Sequence, residues 1–172
     1  MSLRARSVLA FATFAIGGLA AVAGSSQPPL AGDEVAAVDL AGWLRERREK
    51  LCVLDARSAD AFDAGHLPGA RRLADSAASD DGDTVVVYAD RDVDAGVADA
   101  LRRQSAARVL RLHGGLRAWN DEVLFPVLRG DASAGQRQRF EARAALSRYF
   151  GGTPRQLDPG EAAGRTRSRR GC

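Results

Sequence analysis

Lysine is almost absent from this chain: Lys50 stands alone against 24 arginines, a bias of GC-rich bacterial genomes that says little about mechanism. Cysteine is nearly as scarce, with only Cys52 and Cys172. There is no Cys-x-x-Cys pair and no His/Cys cluster at zinc spacing, so metal binding has no support and neither a metal nor a cofactor is expected. A Gly-x-Ser-x-Gly elbow and a phosphate-binding glycine loop are also missing. Aromatic residues make up only 6% of the chain, and none is interleaved with the tail arginines Arg165, Arg167, Arg169 and Arg170. That tail suits attraction to anionic lipid or a partner, or simple solubility.

What is present at the N-terminus is a targeting segment. Arg4 and Arg6 precede an uncharged stretch from Ser7 to Gly24, and Ala21-Val22-Ala23 offers a small-residue cleavage site. Residues 1–24 therefore read as a signal peptide or an N-terminal membrane anchor, the span sitting at the lower edge of bilayer-crossing length. Either way, basic residues before it and Asp33 and Glu34 after it predict export of the C-terminal part. The expected location is the periplasm or the periplasmic face of the inner membrane, a setting in which nucleic acid is not an expected partner. Of the net charge of +3, Arg4 and Arg6 carry +2. Residues 151–172 carry another +3, from five arginines against Asp158 and Glu161, which leaves −2 for the remainder. Export would permit a disulfide, but Cys52 reads as a buried core residue and Cys172 as the exposed last residue of a tail.

Residues 25–32 form a linker. Asp39 is a candidate cap for a helix with Leu40, Trp43 and Leu44 on one face. Leu51–Leu54 reads as a buried strand, Ser58–Ala64 as one or two helical turns, and Arg71–Ala74 as a short strand. Residues 75–83 read as a loop or frayed turn. Thr84–Tyr88 is the strongest strand signal. A helix from about Asp94 to Gln104 should bury Val97, Ala98 and Leu101. Val109–Leu112 is another strand, after which Gly114-Gly115 turns into a helix carrying Trp119. Strands alternating with helices predict an α/β fold with a parallel sheet covered on both faces. Gln136–Phe150 is expected to be an amphipathic helix that aligns Phe140, Ala144, Ser147 and Phe150. Gly151 to Cys172 should be disordered.

Three segments follow one another in order: Asp55-Ala56-Arg57, then Gly65-His66-Leu67-Pro68-Gly69-Ala70, and then Thr84–Tyr88 leading into Ala89. With Gly114, Gly115 and Trp119 downstream, the succession resembles the rhodanese-like (sulfurtransferase) domain over about residues 33–127. The resemblance implies a three-layer α/β domain with a central parallel sheet of about five strands flanked by helices. It leaves 128–150 as a C-terminal helical extension and 151–172 as an Arg-rich tail. It also implies a reactive cysteine at position 89, at the head of a loop whose backbone amides and helix N-terminus stabilise a thiolate or persulfide. Position 89 is alanine, and a methyl group cannot carry sulfur.

The loop reads Ala89-Asp90-Arg91-Asp92-Val93-Asp94-Ala95, a vestigial active-site loop with carboxylates where an anionic sulfur donor would dock. The dual-specificity phosphatases of similar architecture need cysteine followed six residues later by arginine, and position 95 is alanine. Asp90, Asp92 and Asp94 match the first ligand positions of a calcium loop, but Ala95 and Leu101 stand where its glycine and glutamate belong. Solvated charge with Asp94 as a helix cap is the simpler reading. Asp55, Arg57 and His66 are expected to hold the scaffold, with Asp55 and Arg57 tying neighbouring loops. His113 has no matching nucleophile. The expected function is a catalytically inactive binding or regulatory module of the cell envelope, with an unknown envelope protein as partner and the N-terminal segment as a candidate for membrane association. The alternative is a sulfurtransferase or sulfur carrier using another thiol, such as Cys172.

Overall fold

In the computed structural model the described residues are 30, 32–76 and 83–157. The expected signal or anchor segment, nearly all of the linker and the tail from residue 158 lie outside them. Among the described residues no helix is long and apolar enough to cross a membrane.

Five strands form one parallel sheet: β1 (Glu34–Val35), β2 (Leu51–Asp55), β3 (Arg71–Arg72), β4 (Thr84–Tyr88) and β5 (Arg108–Leu112), in the order β1-β5-β4-β2-β3. Every residue of β4 is buried, as its unbroken β-branched run demands of a central strand. The pleat divides its side chains between two cores. Val86 and Tyr88 face Leu40, Leu110, Leu112 and Trp119, whereas Val85 and Val87 face Val93, Ala98 and Leu101. Helix α3 (Ala95–Gln104) therefore covers one face, while α1 (Ala37–Arg45), α4 (Gly115–Trp119) and α5 (Ala134–Tyr149) contribute to the other. A short α2 (Ala59–Ala64) links β2 to β3 and is capped by Ser58, whose hydroxyl accepts from the Ala61 N–H. The three-layer parallel α/β architecture is the one expected.

Several local expectations are corrected. Asp39 does not cap α1: the helix begins at Ala37, and Ala36 makes no side-chain cap, which leaves Asp39 in the first turn. Its carboxylate there faces the positive end of the helix dipole instead. The strand expected at Arg71–Ala74 ends at Arg72, and a 3-10 turn takes Leu73–Asp75, tied by Arg72 bonding to Asp75. Val97 and Cys52 are half-buried rather than core; Cys52 lies near the N-terminal end of an inner strand, where Arg71 Nη2 reaches its sulfur at 3.2 Å.

The C-terminal extension also runs further than its composition suggests. Helix α5 starts two residues before Gln136, because Ser133 and Gln136 form a capping box. Ser147 is buried, and its hydroxyl donates to the Leu124 carbonyl at 2.7 Å. After α5 the chain does not lose order at Gly151. Thr153 N–H donates to Leu124 O, and β7 (Arg155–Gln156) pairs in parallel with β6 (Val127–Leu128). Backbone pairing of two polar residues leaves no hydrophobic period to read, which is why composition alone suggested disorder. Between α4 and β6 the chain passes through a single π-helical segment, Asn120–Leu124.

Candidate functional site

In a parallel sheet the loops that follow the strands' carboxyl ends form the natural binding crevice. Here β2 ends in Asp55 and β4 in Tyr88, side by side in register. Asp55 is completely buried. Its carboxylate accepts from Arg57 Nε at 3.0 Å, from Arg57 Nη2 at 2.7 Å, from the Arg57 amide at 2.9 Å and from the Tyr88 hydroxyl at 2.6 Å. The Tyr88 oxygen in turn accepts from the Leu67 N–H at 3.1 Å. Arg57, its side chain only 8% exposed, also donates to the Gly65 carbonyl at 2.6 Å and to Asp90 at 3.2 Å. One guanidinium thus joins the end of β2, the α2 turn and the loop after β4.

The electrostatics follow from that geometry. Burial alone pushes the Asp55 carboxyl up, but hydrogen bonds from Arg57 and Tyr88 more than offset it and hold the group below the usual carboxylate range. Tyr88 moves the other way: burial, reinforced by its hydrogen bond to the Asp55 carboxylate, lifts its phenol well above the ordinary value. Asp55 stays ionised and Tyr88 stays protonated across neutral pH. Asp55 is an acceptor only, and Tyr88 donates to it while accepting from the Leu67 N–H, so both are locked into the scaffold.

His66 is exposed; its ring stacks on Phe62 with centroids 3.9 Å apart, and Nδ1 lies 3.0 Å from the Phe62 carbonyl. Pro68 and Gly69 occupy the centre of a turn closed by Ala70 N–H on Leu67 O at 3.0 Å. Gly69 has φ +72°, the left-handed value that the third position of a type II turn requires. These residues and Gly65 shape a corner that Arg57 and Tyr88 clamp. Trp119 is buried and meets Phe150 edge to face at 5.1 Å, joining α4 to α5. His113 is 52% exposed, with Nδ1 at 3.4 Å from Glu34 and 4.0 Å from Asp92.

Ala89 is half-buried at the head of the loop, and its methyl packs against the α3-side core. The acidic residues that follow go to three different elements. Asp90 pairs with Arg57, Asp92 accepts from the Gly114 N–H at 2.7 Å, and Asp94 caps α3 by accepting from the Gly96 N–H at 2.8 Å. Only the last of these bonds was expected from the sequence. The first amides of α4 are likewise engaged: Leu116 N–H donates to Ala89 O at 2.9 Å and Arg117 N–H to Asp90 O at 3.0 Å. Gly115 lets this happen, since a Cβ there would lie 2.1 Å from the Arg91 carbonyl and 2.4 Å from that of Ala89. Both helix N-termini beside the loop are therefore occupied by the loop's own oxygens. The N–H groups of residues 90–93 donate to no protein acceptor among the described hydrogen bonds, so backbone amides remain, ringed by carboxylates. Val93 is buried and anchors the loop to the α3-side core, whereas Arg91 and Ala95 are exposed.

No thiol among the described residues stands in for the missing one. Cys52 pairs in register with Val85, four residues before Ala89, which at strand rise puts it about 13 Å away, toward the opposite end of the strands. Cys172 lies outside the described residues. The hub that sequence reasoning missed is Tyr88, read only as the last residue of a strand; a hydroxyl ending an otherwise apolar buried run was the available signal, since such a group needs a partner.

A family model described as the rhodanese-like domain matches residues 40–122, from α1 through the turn after α4. Comparison with curated proteins gives no match. Among solved structures, the crystal structure of the BH2092 protein from Bacillus halodurans is similar, with 23% sequence identity over 51% of this chain and 70% of that chain, at a TM-score of 0.40.

Proposed function

Residues 40–122 of this chain are a rhodanese-like domain, and from that premise we propose that the protein is a non-catalytic member, exported to the cell envelope, that works as a binding or regulatory module. The observation that carries this reading is the loop at 89–94. A methyl group stands where the family's chemistry needs a thiol, and the carboxylates of Asp90, Asp92 and Asp94 hold the loop to Arg57, α4 and α3. An anionic sulfur donor approaching position 89 meets like charge; two such charges 4 Å apart repel by about 1 kcal/mol in water and by more beside protein. The nucleophile is thus absent and the loop's remaining amides sit among carboxylates, which leaves a shaped surface over a rigid clamp.

The test is sulfur transfer from thiosulfate to cyanide by the full-length protein beside its Cys172→Ser variant. No turnover above background is expected from either. Turnover by the wild type that the variant loses would move the chemistry to the tail thiol and overturn the reading; turnover that survives the variant would contradict it equally. Export is tested by the intact mass of the protein in an envelope fraction, where loss of residues 1–24 or their retention in membranes is expected. Recovery from the cytosol with those residues intact would defeat it.

A further inference from the structure

Charge is segregated along this chain. Residues 33–124 carry 18 acidic side chains against 13 basic ones, a net −5, whereas residues 125–172 carry ten arginines against four acids, a net +6. The described part of the basic segment includes the two-stranded ribbon of β6 and β7. Along its first strand the burial alternates: Phe125 is 47% exposed, Pro126 buried, Val127 43% exposed, Leu128 half-buried and Arg129 exposed. The pleat therefore turns Phe125, Val127 and Arg129 outward together. Arg155, also exposed, pairs in register with Val127, and in-register neighbours of a parallel pair share a face. Phe125 and Val127 are two of the three large apolar side chains that stand exposed among the described residues. Arg155 makes no ion pair among those residues. Arg129 lies 3.5 Å from Asp131, but exposures of 70% and 79% leave that pair in water, where such contacts are weak and exchangeable.

We propose that this face docks on a bilayer surface carrying anionic phospholipid. Phe125 and Val127 enter the boundary between headgroups and acyl chains, while Arg155 and Arg129 meet the phosphates. Apolar side chains flanked by guanidinium groups suit an interface that is wet on one side and apolar on the other. A protein partner needs about 800 Å² on each side around an apolar centre, far more than two half-exposed side chains supply. Charge also selects the orientation: an anionic surface attracts the +6 segment and repels the −5 remainder, which brings the ribbon end to the lipid. The arginines at 165–170 and the uncharged stretch Ser7–Gly24 suit the same partner. The face lies wholly beyond residues 40–122, which match the rhodanese-like family, and it does not depend on whether the loop at 89–94 is inert.

The experiment places a reporter on the face of the full chain, because either end of the chain can hold it on vesicles without this face. Phe125→Trp is read against the unsubstituted protein, which supplies the background of Trp43 and Trp119. On phosphatidylglycerol vesicles with brominated acyl chains, the added emission is expected to shift to the blue and be quenched. Arg103→Trp, at an exposed position of α3 on the far side of the sheet from α5, should report water throughout, and phosphatidylcholine vesicles should quench neither reporter. Adding Arg155→Gln to Phe125→Trp should lower the docked-to-free ratio about fivefold, and adding Val127→Ser should lower it as well; both positions are exposed, so the fold is not at stake. A reporter at 125 left in water on vesicle-bound chains would overturn the proposal and leave the face to a protein partner. Quenching at 125 no deeper than at 103, equal quenching on phosphatidylcholine, or a ratio unmoved by both added variants would each overturn it too. Sulfur-transfer results bear on none of these outcomes.

Discussion

Two ionic clusters meet where β2 and β4 end, and they differ in what surrounds them. In the lower one Asp55 is fully buried and Arg57 nearly so, with Tyr88 completing every lone pair that matters. In the upper one Asp90 and Asp92 have side chains 75% and 64% exposed, and water competes for their partners. The lower cluster fixes the geometry of the strand ends regardless of what stands at position 89. The upper one latches the loop after β4 to α3, α4 and Arg57. The Asp-x-Arg motif of this chain therefore serves the scaffold.

The comparison breaks most visibly at its buried member. Asp55→Ala leaves the Tyr88 hydroxyl without its acceptor and leaves Arg57 only Gly65 O and Asp90, and removal of one partner from a buried pair costs about 3–5 kcal/mol. Denaturant unfolding checks this, and a loss below about 1 kcal/mol would show that the cluster is dispensable. The same carboxylate sets the acid limb of stability. Because its folded value is held below the unfolded one, its contribution is complete above about pH 4 and is lost as pH falls further, through the folded value.

Tyr88→Phe comes next. It strips a hydrogen bond from Asp55 and leaves the Leu67 N–H without its acceptor, at about 1–3 kcal/mol. It also has a signature that Asp55→Ala lacks. A phenol raised by burial contributes stability present below its unfolded value and lost as pH rises above about 10. The wild type should weaken over that alkaline range, and the phenylalanine variant should lose that part of the dependence. Identical alkaline profiles would place the sensitivity elsewhere.

Asp90→Ala is the smallest effect and the sharpest contrast. The lost ion pair with Arg57 has one exposed partner, and such pairs contribute about 0–1 kcal/mol. A cost approaching that of Asp55→Ala would mean that the loop, too, is part of the core clamp, and the distinction between the two clusters would dissolve.

Much of this was legible in the sequence, for a physical reason. The β4 run Thr84–Tyr88, the spacing of Asp55, Arg57 and the Gly65–Ala70 corner, and the Asp94 cap are local patterns, and local patterns survive translation into structure. The partners that make the site were not legible. Asp90 reaches Arg57 33 residues away, Asp92 reaches Gly114 22 residues away, and Tyr88 reaches Asp55 across the sheet; none of these pairings leaves a period or a motif. The acidic loop read as solvated charge, whereas each carboxylate holds a specific donor. The order of residues 151–157 was hidden in the same way, because it rests on backbone bonds to Leu124, Pro126 and Leu128 that side-chain composition does not report.

We infer that the loop after β4 lacks the power to stabilise negative charge as well as a thiol. The ionisation of the thiol introduced by Ala89→Cys, read from the pH dependence of its alkylation rate, tests it directly. With carboxylates on both flanking helix N-termini, that thiol should titrate near or above the ordinary cysteine value of about 8.5 and form no persulfide with thiosulfate. A value at or below about 7, with a sulfur adduct at that position by mass spectrometry, would show a working anion cradle and contradict the account.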